Sequence, residues 1–200
     1  IQVGCSHEAV TVPFVPVPSL LYRKYREMKK FGVSRVMQCW YFGNYPGVMN
    51  RAAGMLTCED FEDGEEKFLL RLARPDWGSR APEAVRAWQY FAEGYSHYPL
   101  SNMFQYYGPI HDGVVWPLYL YPEYKPLAPT WKLEFGTSGD CIGECLENHT
   151  IDEAVVLCRE MAGKWNRGVD ILKSIRPDFR DDPPRLKDIA LAEALGIQLE

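Results

Sequence analysis

The chain has 200 residues, 46% of them hydrophobic and 24% charged, with a net charge of −5. That length suits one domain or one large piece of a bigger protein, and the composition is that of an ordinary globular chain. An acidic balance without a Lys/Arg cluster speaks against a nucleic-acid surface. No apolar run approaches the roughly 18 residues needed to span a bilayer, and the N-terminus does not read as a signal peptide.

Residues 1–9 read as a short strand with a polar tip, "CSHE". The run "VTVPFVPVPS" carries three prolines at alternate positions, so it is an extended connection rather than a central strand. Ser19 is the expected cap of a helix over about 20–31, which ends in basic residues with Gly32 just beyond. Residues 33–40 read as a second strand. Strand, helix, strand in this order is a βαβ unit with two parallel strands.

Beyond Pro46 the pattern turns helical. Short helices are expected near 47–56 and 64–73, and a firmer one over about 81–97, where Ala84, Trp88, Phe91 and Tyr95 recur at helical steps. Residues 98–149 show almost no periodicity and are rich in Tyr, Trp and Pro, the composition of a structured functional loop rather than a linker. The clearest helix runs from about 151 to 175. Thr150 and Glu153 make a Thr-x-x-Glu capping box, and Ile151, Val155, Cys158, Ala162, Trp165, Val169 and Leu172 form a continuous apolar stripe that calls for a partner. A last helix starts near Arg185, with Leu186, Ile189, Ala190 and Ile197 as its apolar residues.

Two parallel strands cannot form a stable sheet alone, so the reading is an α/β chain cut at both ends, the C-terminal portion of a larger protein. Three parts are expected: 1–60 as a last βαβ unit with an active-site loop, 61–149 as helices and a long aromatic-rich loop, and 150–200 as a helical region. The six cysteines (Cys5, Cys39, Cys58, Cys141, Cys145 and Cys158) are too sparse for a disulfide scaffold. They read as reduced and buried, which points to the cytoplasm.

Chemistry-bearing residues gather where the strands end. Glu8, just past the first strand, has the position of a nucleophile or acid/base in glycoside cleavage; the plainer reading is a carboxylate capping a loop or pairing with an arginine. His7 reads as an orienting donor or a surface residue, and Ser6-His7-Glu8 is no triad because three consecutive side chains do not converge. In "CWYFGNYPG", Trp40, Tyr41 and Tyr45 with Asn44 have the composition of a sugar site: rings for the apolar C–H faces, an amide for the hydroxyl rim. Core closure by Trp40 and Phe42 is the alternative. In "QYYGPIHDGVVWP", turns at Gly108-Pro109 and Asp112-Gly113 would present Tyr107, His111 and Asp112 together as a pocket wall, or pack as plain loop.

Three further signals read as structural. Cys141-x-x-x-Cys145 lacks the second pair of a zinc site. The acidic run "CEDFEDGEE" over 58–66 has the wrong spacing for an EF-hand and reads as a solvated turn. Asn148-His149-Thr150 fits a glycosylation sequon, but Thr150 is already committed as a helix cap.

The stretches "SHEAVTVPFVPVPSLLYRKYREMKKFGVSRVMQCWYFGNYPGVMNRAAG" and "YPLSNMFQYYGPIHDGVVWPL" resemble the C-terminal part of a family of large bacterial proteins classed as glycoside hydrolases. The resemblance extends through "APTWKLEF", "GDCIGECLENHTIDEAV" and the Trp165 helix to "AEALGI". It implies the last strands of a (β/α)8 TIM-type barrel followed by a mainly α-helical region, packed against an upstream barrel portion; an oligomer is compatible with it. Glu8 would then stand at the end of strand seven as nucleophile, with the second carboxylate upstream, and Trp40 after strand eight would floor the sugar subsite. The implied partner is a carbohydrate, with no cofactor and no metal required. Two other readings stay open. One is a non-catalytic carbohydrate-binding protein using the same rings, and the other a hydrolase of another class using Cys5 or His7.

Overall fold

The computed structural model of the chain describes residues 2–3, 15–38, 47–99, 146 and 149–200. These residues build a helical structure, not the end of an α/β barrel. The helices are α1 (Pro18–Lys30), α2 (Val48–Leu56), α3 (Glu65–Trp77), α4 (Ala81–Tyr95), α5 (Ile151–Ile175) and α6 (Pro183–Leu199), with 3-10 segments Gly78–Arg80 and Arg176–Phe179. The strand pairing among the described residues is a two-residue match: Gln2–Val3 (β1) lies parallel to Met37–Gln38 (β2), Gln2 opposite Met37 and Val3 opposite Gln38. A pair this short is no sheet, and the buried core is drawn almost wholly from helices. The α/β barrel expectation is corrected accordingly.

Helix boundaries follow local chemistry, with some departures from expectation. Val17, not Ser19, is the N-cap of α1, and Pro18 occupies the first turn, where no amide hydrogen is needed. Ser19 lies inside that turn, fully buried, its hydroxyl without a partner. Lys29 and Lys30 sit at the negative end of the helix, and Gly32 follows at φ 69°, a conformation glycine adopts without steric cost. Helix α3 runs on through Pro75 to Trp77. The proline falls in its last turn, and burial of Trp77 (2% exposed) holds that turn against the core. At α5 the capping box is formed: the Glu153 amide donates to the Thr150 hydroxyl at 3.2 Å, and the Thr150 amide donates back to the Glu153 carboxylate at 2.8 Å.

Helices α4 and α5 cross at the centre, antiparallel and very close. Phe91 stacks on Trp165 with ring centroids 4.2 Å apart. Gly94 faces the backbone of Met161 and Trp165, and Gly168 faces Ala87 and Phe91. Helix α6 joins through the Trp165 indole, which donates from Nε1 to the Ala192 carbonyl at 2.9 Å. Helices α1, α2 and α3 complete the other side, where Tyr22 meets Phe61 and Phe68 edge-on or tilted.

The apolar stripe of α5 is only partly covered by described residues. Ala162, Trp165, Val169 and Leu172 are buried, Cys158 is half-buried, and Ile151 and Val155 are exposed at 62% and 39%. The reason is length: Gly94, at the end of α4, faces Met161 near the middle of α5, so the first turns of α5 project past α4. On α6 the buried hydrophobic residues are Ile189, Ala192, Leu195 and Leu199, while Ala190 and Ile197 face outward. The acidic turn at 58–66 is ion-paired: Arg71 binds Glu59 and Asp63, Arg23 binds Glu65, and Lys29 reaches the carbonyls of Glu59 and Asp60. Cys58 is exposed rather than buried, and both it and Cys158 are free thiols. Among the described residues no helix is long and apolar enough to cross a membrane.

The α4–α5 crossing gives a sharp test. A Cβ at Gly168 would stand 2.5 Å from the Phe91 ring and 2.9 Å from the Ala87 carbonyl oxygen, whereas one at Gly163 would meet nothing within 4 Å. Denaturant unfolding is expected to show Gly168→Ala destabilised by about 1–3 kcal/mol and Gly163→Ala stabilised by up to about 1 kcal/mol.

Candidate functional site

The tetrapeptide Arg-Pro-Asp-aromatic occurs twice, as Arg74–Trp77 and Arg176–Phe179, each followed by a proline at the same offset, Pro82 and Pro184. The first copy is the last turn of α3, before the 3-10 segment Gly78–Arg80 and α4, and the second is itself the 3-10 segment between α5 and α6, so each copy lies at the corner between two helices. The two corners meet. Trp77 and Phe179 pack edge-to-face at 5.2 Å, and each aspartate is held by an arginine from beyond the other corner. Asp178 receives Arg80 at 2.6 Å, and Asp76 receives Arg185 at 3.3 Å.

Beside this junction lies a cleft of about 480 Å³. Gly47, Val48, Asn50 and Arg51 of the α2 N-terminus form one wall, Asp76 and Trp77 of α3 and Trp88 of α4 another, and Pro184, Arg185 and Asp188 of α6 a third. Trp77 and Trp88 meet edge-to-face at 6.5 Å and are almost wholly buried, so they make a floor. The charged groups form a chain. Arg51 binds Asp76 and the Leu72 carbonyl through Nη2. Arg185 reaches Asp76 at 3.3 Å and Asp188 at 3.0 Å with the same nitrogen, and its guanidinium lies 5.4 Å above the Trp77 ring. The Arg51 Nε is buried and has no partner.

The two carboxyl groups are driven in opposite directions. Burial pushes Asp188 up to about 6, with the nearby charges of Asp76 and Asp182 adding to it, against Arg185 and Lys187. Burial would also raise Asp76, but the hydrogen bond from Arg51 and the charges of Arg185 and Arg51 outweigh it and hold that carboxyl below its ordinary value. One group is thus firmly ionised while its neighbour takes up a proton in the weakly acid range. Paired carboxyls with separated protonation are what acid–base chemistry requires, although ion-pair networks produce the same pattern.

The cleft as described is built from residues other than those singled out in the sequence. Glu8, His7, Trp40, Tyr41, Asn44, Tyr45, Tyr107, His111 and Asp112 all fall outside the described residues, as do Cys5, Cys39, Cys141 and Cys145. The cleft residues were reachable from the sequence by one signal, the repeated Arg-Pro-Asp-aromatic. Among the described residues no group of three or more His, Cys, Asp or Glu side chains is placed to hold a metal ion. No protein-family model, curated protein or solved structure matches the chain.

The opposed shifts have opposite consequences for stability. Asp188 has a raised folded-state pKa, so its contribution is fully present below the ordinary carboxylate pKa and is lost as pH rises through about 6. Asp76 has a lowered one, so its contribution is present above the ordinary value and is lost as pH falls through the depressed one. Thermal unfolding between about pH 4 and about pH 8 should therefore show Asp188→Asn with a raised Tm at the alkaline end and no gain at the acid end. Asp76→Asn leaves two guanidiniums without their carboxylate and is expected to lose about 1–3 kcal/mol at neutral pH.

Proposed function

We propose that the protein acts on carbohydrate, as the glycoside hydrolases it resembles do, and that the cleft between α2, α3, α4 and α6 holds sugar. The observation that carries this reading is the cleft's composition: an ionised carboxylate, a carboxyl that protonates near neutrality, an amide and two guanidiniums on an indole floor. A sugar offers hydroxyls that both donate and accept, and the carboxyls, amide and guanidiniums of such a lining answer them. The ring-rich run from Trp40 to Tyr45 supports the same reading, because Pro46 joins it in the chain to Gly47 on the cleft wall.

In this reading Glu8 is the nucleophile that the resemblance implies, and Trp40, Tyr41, Asn44, Tyr45, His7, Tyr107, His111 and Asp112 contribute to sugar contact. Asp188, as the protonatable carboxyl, is the natural donor to a glycosidic or hydroxyl oxygen. Non-catalytic carbohydrate binding is the second reading, favoured by one specific observation. Asp76, Arg185 and Asp188 are already joined in a continuous ion-pair chain with Arg51, an arrangement suited to holding a ligand in register. The exposed free thiol of Cys58 fits a reducing compartment, and the cytoplasm is part of this proposal.

A panel of aryl glycosides, with sugar binding followed by calorimetry, tests both readings on the protein and its Glu8→Gln variant. Hydrolysis by the wild type, reduced at least about a thousandfold in Glu8→Gln with binding kept, is the result expected of a glycosidase using Glu8. Binding without turnover in either protein supports the second reading, and absence of both binding and turnover contradicts the carbohydrate proposal.

A further inference from the structure

We infer that the corner junction is a pH-sensitive latch: Arg185 is shared between Asp188 of its own helix and Asp76 of α3, and a proton taken up by Asp188 hands the guanidinium over to Asp76 and fastens α6 to α3. The latch belongs to the fold and works whatever the cleft binds.

One nitrogen serves two acceptors. Arg185 Nη1 lies 3.0 Å from Oδ2 of Asp188 and 3.3 Å from Oδ2 of Asp76, and the Arg185 side chain is only 15% exposed. Its backbone is held as well, because its amide donates to the Asp182 carboxylate at 3.2 Å, and its guanidinium lies over the Trp77 ring. A small shift of the guanidinium is enough to move it from one acceptor to the other. Two carboxylates drawn to one nitrogen repel each other, so the one with less cationic support is the first to take a proton. Asp76 has Arg51 and Arg185, each from a different helix, whereas Asp188 has Arg185 alone as an ion-pair partner among the described residues.

The surrounding charges favour the same order. The groups facing Asp188 are Arg185 and Lys187 on its own helix, Asp182 at that helix's cap, and Asp76 from α3. Helix α2 adds Arg51, through its bond to Asp76, and α4 adds the uncharged wall of Trp88. Burial, with the charges of Asp76 and Asp182, pushes Asp188 up to about 6 against Arg185 and Lys187. Against burial, its two guanidiniums hold Asp76 below its ordinary value. Between those two limits Asp188 is neutral, Asp76 is ionised, and Arg185 has one carboxylate left. Above about pH 6 the charged Asp188 is a second acceptor, so loss of Asp76 is partly compensated; below it that reserve is gone. The α3–α6 ion pair therefore strengthens on acidification until Asp76 itself is protonated, whereas an ordinary ion pair only weakens.

The coupling between Asp76 and Arg185 tests the latch, measured on the full chain by denaturant unfolding of Asp76→Asn, Arg185→Gln and the double variant at about pH 5 and about pH 7.5. Expressed as a factor in the unfolding constant, the coupling is expected to be at least about threefold larger at the lower pH. In a chain that also carries Asp188→Asn it should hold the larger value at both pH values. A coupling that is unchanged or smaller at about pH 5 overturns the inference, and so does a pH dependence that survives Asp188→Asn. Should any of these variants fail to fold, NMR titration of the carboxyl and guanidinium groups in the native chain decides. The Arg185 guanidinium signal is expected to move together with the Asp188 carboxyl, with a midpoint at about pH 6. An Arg185 signal that stays fixed while Asp188 titrates, or an Asp188 that remains ionised at about pH 5, overturns the latch. Sugar binding enters none of these measurements, so their failure leaves the carbohydrate reading standing.

Discussion

One guanidinium nitrogen, on Arg185, meets carboxylates from two different helices, and the cleft depends on it. From α6 it reaches Asp76 of α3 at 3.3 Å and Asp188 of its own helix at 3.0 Å, above the face of Trp77. Arg51 closes the chain of charges from α2 by binding Asp76. The neighbouring helices α2 and α3 and the sequence-distant α6 are therefore fixed to one another by a short row of charges. Half-buried charges of this kind are costly to bring out of water, and their attraction compensates only while every partner is present. Removing Asp76 or either arginine leaves a charge uncompensated, whereas Asp188, pushed up to about 6 by burial, is the member whose charge the fold can lose.

The helical core explains why that row of charges is held steady. Phe91 and Trp165 stack at the α4–α5 crossing, and Gly94 and Gly168 allow the two backbones to approach too closely for any larger side chain. Helix α6 is fastened to the same tryptophan by the bond from Trp165 to the Ala192 carbonyl. The corners at Trp77 and Phe179 then lie edge-to-face at one side of this core. The reciprocal pairs, Arg80 with Asp178 and Arg185 with Asp76, join the corners across their contact. The cleft opens where this junction meets the N-terminus of α2.

The bounds of helix α5 were legible in the sequence. Its Thr-x-x-Glu start and its regular apolar steps specify both its beginning and the face that packs, because each is a local property of the chain. Helices α2, α3 and α4 were legible to within a few residues for the same reason, although Pro75 hid the last turn of α3. The strands were over-read. The runs 1–9 and 33–40 on either side of α1 do pair in parallel, but over two residues each, and the step from that pair to a barrel came from resemblance rather than from the residues themselves. Burial was only partly legible: Ile151, Val155 and Ile197 sit on apolar patterns, yet α4 is too short to cover the first two and α6 buries a different face. The cleft was not read at all. Asp76 and Arg185 are far apart in the chain and look like ordinary surface charges, and only the twice-occurring Arg-Pro-Asp-aromatic connects them.

The carboxyls driven apart in protonation, the orphaned Arg51 Nε and the two packed indoles all belong to that junction. Asp76 and Arg185 act as one unit in fixing the helices around the cleft. A double-mutant cycle tests this coupling, with Asp76→Asn, Arg185→Gln and the double variant compared by denaturant unfolding at neutral pH. The expected interaction energy is about 1–3 kcal/mol, the double variant losing much less than the two single losses added together. Additive losses, with an interaction energy below about 0.5 kcal/mol, would contradict it.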